Sequence, residues 1–178
     1  ALNTSPLGFS KDGKTMYAMD ATGRDKAALV SMKAIEGGAA SREVIFESDK
    51  ADVGGVYSDP VTHEPKAVSV NYLRNEWHLI DPELQPDFDA ISALDEGEVN
   101  IIDAPLDNRT WVLGYQQDRG PVKYWLYDRD TKQGRYLFSN RPEMEQFELL
   151  EMKPVEITAR DGMVLPSYLT VPAVADGP

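Results

Sequence analysis

Short runs of alternating apolar and polar residues, cut apart by Gly, Pro, Asp and Asn, dominate the chain and predict antiparallel strands rather than helices. Asp12-Gly13, within Phe9–Lys14, supplies a turn with positive φ that leads into a strand over Thr15–Met19, and a second turn over Asp20–Asp25 returns the chain. A strand over Ala28–Met32, a turn at Glu36-Gly37-Gly38 and a strand over Arg42–Phe46 complete a three-stranded meander. The same order recurs downstream. Arg109–Tyr115 is a strand, Asp118–Pro121 a turn, Lys123–Asp128 the returning strand, and Asp130–Gly134 turns into a strand over Arg135–Phe138.

A weaker copy lies between them: a strand over Lys66–Val70, a turn at Arg74-Asn75, and a strand over Glu76–Asp81 that matches Lys123–Asp128 in residue type. The copies recur at roughly 45 residues, the blade period of β-propellers. After Asp81 the middle copy departs from its neighbours. Phe88, Ile91 and Leu94 repeat at helical spacing behind an Asp, so Asp87–Leu94 reads as one short helix in place of a third strand, the competing reading being a loop that holds three apolar residues. The fold class expected is therefore all-β: a partial propeller of about three blades with one short helix. Three blades cannot close a ring, so exposed sheet edges and self-association are expected, with a monomer by light scattering counting against it.

Composition narrows the function classes. Thirty acidic against eighteen basic residues leave a net charge of -12, and no window gathers Lys and Arg among aromatics, which argues against nucleic acid as a partner. No run approaches the ~20 apolar residues of a membrane span. With no cysteine there is no disulfide, thiolate metal site or cysteine nucleophile, and cytosol and periplasm suit the chain equally. The start, Ala1–Pro6, lacks an initiator Met and the basic and apolar regions of a signal peptide, and the end at Val174–Pro178 follows a strand-like run directly; both ends read as cuts within a longer protein.

The segment Asn108–Phe138, with Arg109-Thr110-Trp111-Val112, Tyr124–Arg129 and Leu137-Phe138, resembles the closing blade of acylaminoacyl-peptidase-like members of the prolyl oligopeptidase family of serine hydrolases. Asn140–Met144, Met152–Gly162 and Pro166–Pro172 resemble that family's crossing into its α/β-hydrolase domain. The resemblance implies a propeller part over residues 1–148 and, over 149–178, a linker and the first hairpin of a hydrolase domain that lies beyond the chain, with Ala159-Arg160-Asp161-Gly162 as the turn between Val155/Ile157 and Tyr168/Thr170. It implies a non-catalytic role in a peptidase or acyl-amino-acid hydrolase, the propeller gating access to the catalytic pocket. The competing reading is a propeller-like module whose tail from Pro154 is an edge hairpin and whose acidic face recruits a basic protein.

No catalytic, cofactor-binding or metal-binding residue is assigned, and no cofactor is expected. The family's Gly-x-Ser-x-Gly elbow has no match: Gly8-Phe9-Ser10-Lys11-Asp12 lacks the second Gly, and His63 and His78 both precede the crossing. His63 sits in the Pro-bounded turn Asp59–Pro65 and reads as a solvated loop residue; His78, following Trp77, reads as a polar tip beside an aromatic. Two such histidines without cysteine do not suggest zinc. Asp81, Glu83, Asp87, Asp89, Asp95, Glu96 and Glu98 carry oxygens that suit calcium but fit no EF-hand spacing, and read instead as a solvated acidic face. The strand aromatics Trp77, Trp111, Trp125, Tyr115, Tyr124, Tyr127 and Tyr136 read as blade packing rather than a ligand-stacking surface. Arg74, Arg109, Arg119 and Arg141 are the cations suited to lining a channel or pairing a substrate carboxylate.

Overall fold

The computed structural model describes residues 4–34 and 40–172. The turn expected at Glu36-Gly37-Gly38 and the two chain ends lie outside the described residues. Contacts divide the chain into two compact units, Ala1–Gln85 with Pro105–Asn108, and Pro86–Ala104 with Arg109–Pro178.

The first unit holds two antiparallel meanders. One sheet runs β1 (Ser5–Phe9), β2 (Thr15–Asp20), β3 (Ala28–Ala34) and β4 (Ala40–Phe46); the other runs β5 (Val53–Ser58), β6 (Pro65–Asn71) and β7 (Asn75–Leu79). Neighbours in sequence are neighbours in space, the up-and-down construction of propeller blades. Alternation along β3 sends Leu29 to one face and Ala28 and Val30 to the other. Leu29, Val53 and Val68 are fully buried and packed by Met19, Ile45, Phe46, Val56 and Ile80, which places the core of this unit between its two sheets. Each such side chain contributes on the order of 1.5–3 kcal/mol through apolar burial.

The second unit begins within α1 (Gln85–Leu94), at Pro86, and continues into the four-stranded sheet β8 (Glu98–Asp103), β9 (Thr110–Gln116), β10 (Lys123–Asp128) and β11 (Gln133–Ser139). Strand β9 buries Trp111, Leu113 and Tyr115 on one face, and in-register Tyr127 of β10 lies opposite Trp111. Phe88 and Ile91 of α1 close over this face, Phe88 meeting the Trp111 ring edge-on at 6.1 Å between centroids. A separate hairpin, β12 (Lys153–Thr158) and β13 (Val164–Leu169), turns at Ala159–Gly162, where Gly162 takes φ +87 and the Ala159 amide donates to the Met163 carbonyl at 2.8 Å. Ile157 and Tyr168 of this hairpin are about half exposed.

The all-β partial propeller with one short helix is the fold observed. Three details differ from the sequence expectation. The first and last meanders have four strands, not three, and the middle one gains β5, because each begins with a strand that carries a bulge: register shifts fall at Pro6/Gly8 in β1, Val53/Gly55 in β5 and Ile101/Asp103 in β8. The middle turn spans Tyr72–Arg74, with Asn71 paired to Asn75. The helical segment is capped by Asp81 rather than Asp87: the Asp81 carboxylate accepts from the Glu83 amide at 3.0 Å at the head of a short 3-10 turn, Pro82–Leu84, that leads into α1.

Candidate functional site

Asp87 lies in the first turn of α1, and its spacing to Ile91 and its neighbour Phe88 carries it onto the helix face turned toward β9 and β10. It is 1% exposed. For Asp87 a solvated acidic face is thus not what the structure builds, since burial beneath the helix forces the carboxylate to find partners, whereas Glu83, Asp89 and Glu96 are exposed. The Tyr127 hydroxyl donates to Oδ1 at 3.0 Å, Arg129 donates to Oδ2 through Nη2 at 2.8 Å and Nε at 3.2 Å, and Lys132 Nζ donates to Oδ1. Burial alone would raise the Asp87 pKa; the bonds from Lys132, Arg129 and Tyr127 outweigh it and hold the group below the ordinary carboxylate value. Burial, followed by the bond to Asp87, pushes the Tyr127 phenol well above its usual range, so it remains a proton donor. The Arg129 guanidinium also lies over the Trp111 ring, 4.6 Å from its centroid.

At the other end of α1, Asp95 accepts from the Trp125 indole at 2.9 Å and from Lys123 Nζ at 3.1 Å, while the buried Tyr115 hydroxyl donates to the Ile91 carbonyl at 2.6 Å. These contacts fasten the helix to the sheet at both ends. A carboxylate so saturated with donors serves as a fastener rather than a general base.

In the first unit the matching role falls to Asp20 at the end of β2. It accepts from the Thr4 and Thr22 hydroxyls at 2.7 Å each and from the Thr22 amide at 3.0 Å, and it pairs with Arg42 of β4 at 2.5 Å. The Thr22 hydroxyl foremost, then Thr4, the Thr22 amide and Arg42, overcome burial and lower the Asp20 pKa from 3.8 to about 2. A carboxyl group with a depressed folded-state value stabilises the fold fully above its unfolded value and ceases to do so as pH falls through the folded one. Stability is therefore expected to fall by roughly 2 kcal/mol between about pH 4 and pH 2 on account of this group. Urea titrations across that window check it: Asp20→Asn should flatten the slope, and an identical pH dependence in wild type and variant would refute the assignment.

Elsewhere, His63 is exposed at φ +63, its Nδ1 3.1 Å from the Phe9 carbonyl, beside a cleft of about 280 Å³ lined by Leu7, Phe9, Tyr17, Asp59 and Pro60. His78 is half-buried, and the aromatic beside it is Phe46 of β4, ring centroids 5.0 Å apart, rather than the sequence neighbour Trp77, which alternation sends to the opposite face of β7. Among the described residues no three His, Cys, Asp or Glu side chains converge to hold a metal ion. Of the four arginines singled out from sequence, Arg109 pairs with Asp130 at 2.5 Å, Arg119 pairs with Glu151 at 3.0 Å, Arg74 is half-buried, and Arg141 is exposed ahead of the turn Pro142–Gln146. Arg129, which bonds to Asp87 and lies over the Trp111 ring, is not among them. Its position directly after the Tyr124–Asp128 strand was visible in the sequence; its partner, 42 residues earlier, was not. Trp111, Tyr115 and Tyr127 are packed as expected, whereas Tyr136 is 44% exposed.

No protein-family model matches the chain. It is 42% identical over 175 residues to dipeptidyl aminopeptidase BIII of Pseudoxanthomonas mexicana, an alignment covering 98% of this chain and 25% of that protein. It is 26% identical over 173 residues to dipeptidyl peptidase family member 6 of Caenorhabditis elegans, covering 97% and 23%. The chain thus spans about a quarter of the length of the curated relatives it matches. A solved chain from a structural and mechanistic study of two prolyl endopeptidases superposes on 92% of it, and over 23% of its own length, with a TM-score of 0.54 at 11% identity, which supports the fold.

Proposed function

The chain is a β-propeller portion of the prolyl oligopeptidase family, and from that premise we propose that it belongs to a serine peptidase that releases dipeptides from peptide N-termini. The observation that carries this reading is the match, along nearly the whole chain, to a protein named as a dipeptidyl aminopeptidase. A second, more distant relative bears a dipeptidyl peptidase name as well. The names favour dipeptide release over the acyl-amino-acid hydrolysis that the closing-blade resemblance implies.

In this reading the present residues perform no bond-breaking step. The serine nucleophile and its base belong to a hydrolase domain that continues from β13, and the propeller acts as a wall that limits which peptides reach the nucleophile. The fasteners at Asp20, Asp87 and Asp95 suit that role, because a wall excludes by staying rigid.

The test is hydrolysis by the full-length protein of dipeptidyl chromogenic substrates with a free N-terminus beside the same substrates N-acetylated, with a serine-directed covalent probe. Turnover of the free forms only, abolished by the probe, is the expected result. Preference for the acylated forms would restore the acylaminoacyl reading. Absence of both turnover and labelling in folded protein would favour a propeller-like binding module.

A further inference from the structure

The last blade hands the chain to the β12–β13 hairpin through residues 140–152. The start of this crossing is held to the β9–β10 turn by Asn140, whose amide donates to the Val122 carbonyl at 3.0 Å and whose Oδ1 accepts from the Val122 amide at 3.1 Å, and its end is held to the same turn by a second pair of contacts. The Met152 amide donates to Asp118 Oδ2 at 2.7 Å, and Arg119 Nη2 donates to Glu151 Oε2 at 3.0 Å. Two consecutive residues of the turn thus grip two consecutive residues of the crossing. The contacts at Asp87 are buried, but Arg119 and Glu151 keep 58% and 44% of their side-chain surface in water. An exposed ion pair contributes about 0–1 kcal/mol, and a single charge-assisted hydrogen bond somewhat more. Together they hold the crossing in one position for most of the time yet can release it thermally.

We propose that Asp118 and Arg119 form a latch on the crossing segment, so that they act as positioning residues that set how often the domain continuing from β13 swings away from the propeller. The proposal rests on the peptidase reading for its consequence, though not for the latch itself. The geometry separates it from a merely structural contact in one respect: the blade behind the turn has its own buried fasteners, and Asn140 and Glu145 keep the start of the crossing in place, so losing the latch frees the end of the crossing without loosening the sheet.

Two measurements test it. In the present chain, Asp118→Ala should speed hydrogen exchange of the Met152 amide about tenfold, the loss of one charge-assisted bond, while the amides of β9 and β10 keep their rates. An unchanged Met152 rate, or faster exchange throughout the sheet, would overturn the latch. In the full-length protein, Asp118→Ala combined with Arg119→Ala should change the ratio of kcat/KM for long peptides to that for tetrapeptides several-fold, without altering the melting temperature. Raised salt should move the wild-type ratio in the same direction by weakening the ion pair. Faster exchange with an unchanged ratio would refute control of domain opening. A wild-type protein that hydrolyses nothing would count against the peptidase reading and leave the exchange rates to decide the latch.

Discussion

Replacing Asp87 with Ala is expected to destabilise the second unit by about 3 kcal/mol, the lower end of the cost of breaking a buried ion pair from one side. The reason lies in what remains. The carboxylate is almost fully buried and accepts from Tyr127, Arg129 and Lys132 at once, so its removal takes the shared acceptor away from one phenol and two cations. Lys132 is 39% exposed and can turn toward water; Arg129 is 21% exposed and lies on the Trp111 ring, so it bears more of the loss. Asp87→Asn should cost less, since an amide oxygen still serves Tyr127 although it no longer neutralises the cations. Urea titration followed by far-ultraviolet circular dichroism measures both. A loss below about 1 kcal/mol for Asp87→Ala would mean that the cluster behaves as an ordinary surface ion pair.

Trp111→Ala is the companion experiment, with an expected cost of about 3–5 kcal/mol. Trp111 has no exposed surface, and it meets Phe88 of α1 at 6.1 Å and Tyr127 at 5.8 Å. Truncation would leave a cavity walled by helix on one side and sheet on the other, and neither element can collapse into it without breaking the Asp87 and Asp95 contacts. The two substitutions should not add. Arg129 bonds to Asp87 and stacks on Trp111, so removing either partner already spoils its position, and the double variant should lose less than the sum by more than about 0.5 kcal/mol. Strict additivity would show that the stacked guanidinium does not couple the two.

Together these residues explain how a short helix replaces a strand in the run of meanders. Pro82 and Pro86 disfavour continuation of β7, Asp81 caps the turn that follows, and the residues one helical turn on carry both an apolar face and a carboxylate. The carboxylate then selects the position on the sheet that offers it donors.

What the sequence determined by itself is the local grammar. Strands β2, β3, β4, β9, β10 and β11 are short runs of six or seven residues rich in apolar and aromatic side chains, with Gly-containing turns between several of them, so their existence, order and antiparallel sense follow from run length and turn chemistry. The hairpin at Ala159–Gly162 is legible for the same reason, as is the helix, whose Phe88 and Ile91 keep helical spacing. Strands β1, β5 and β8 are not legible in the sequence because a bulge breaks the period of two in each, and β1 and β5 hold Pro6, Gly8, Gly54 and Gly55, residues that read as turn signals. Gly55 is tolerated there for a reason found in another strand: a Cβ would come within 2.8 Å of Ser69 Oγ. Only the tertiary structure decided the fate of the charged residues. Asp87 and Asp89 look alike in sequence, yet one is buried under three donors, because which side of α1 meets the sheet is fixed by Phe88 and Ile91. Pairings such as Asp87 with Arg129 and Asp118 with the Met152 amide join residues more than thirty positions apart, and no local pattern encodes them; they arise when apolar burial brings strands and turns together, and at Asp87 the desolvated charge must then find its opposite.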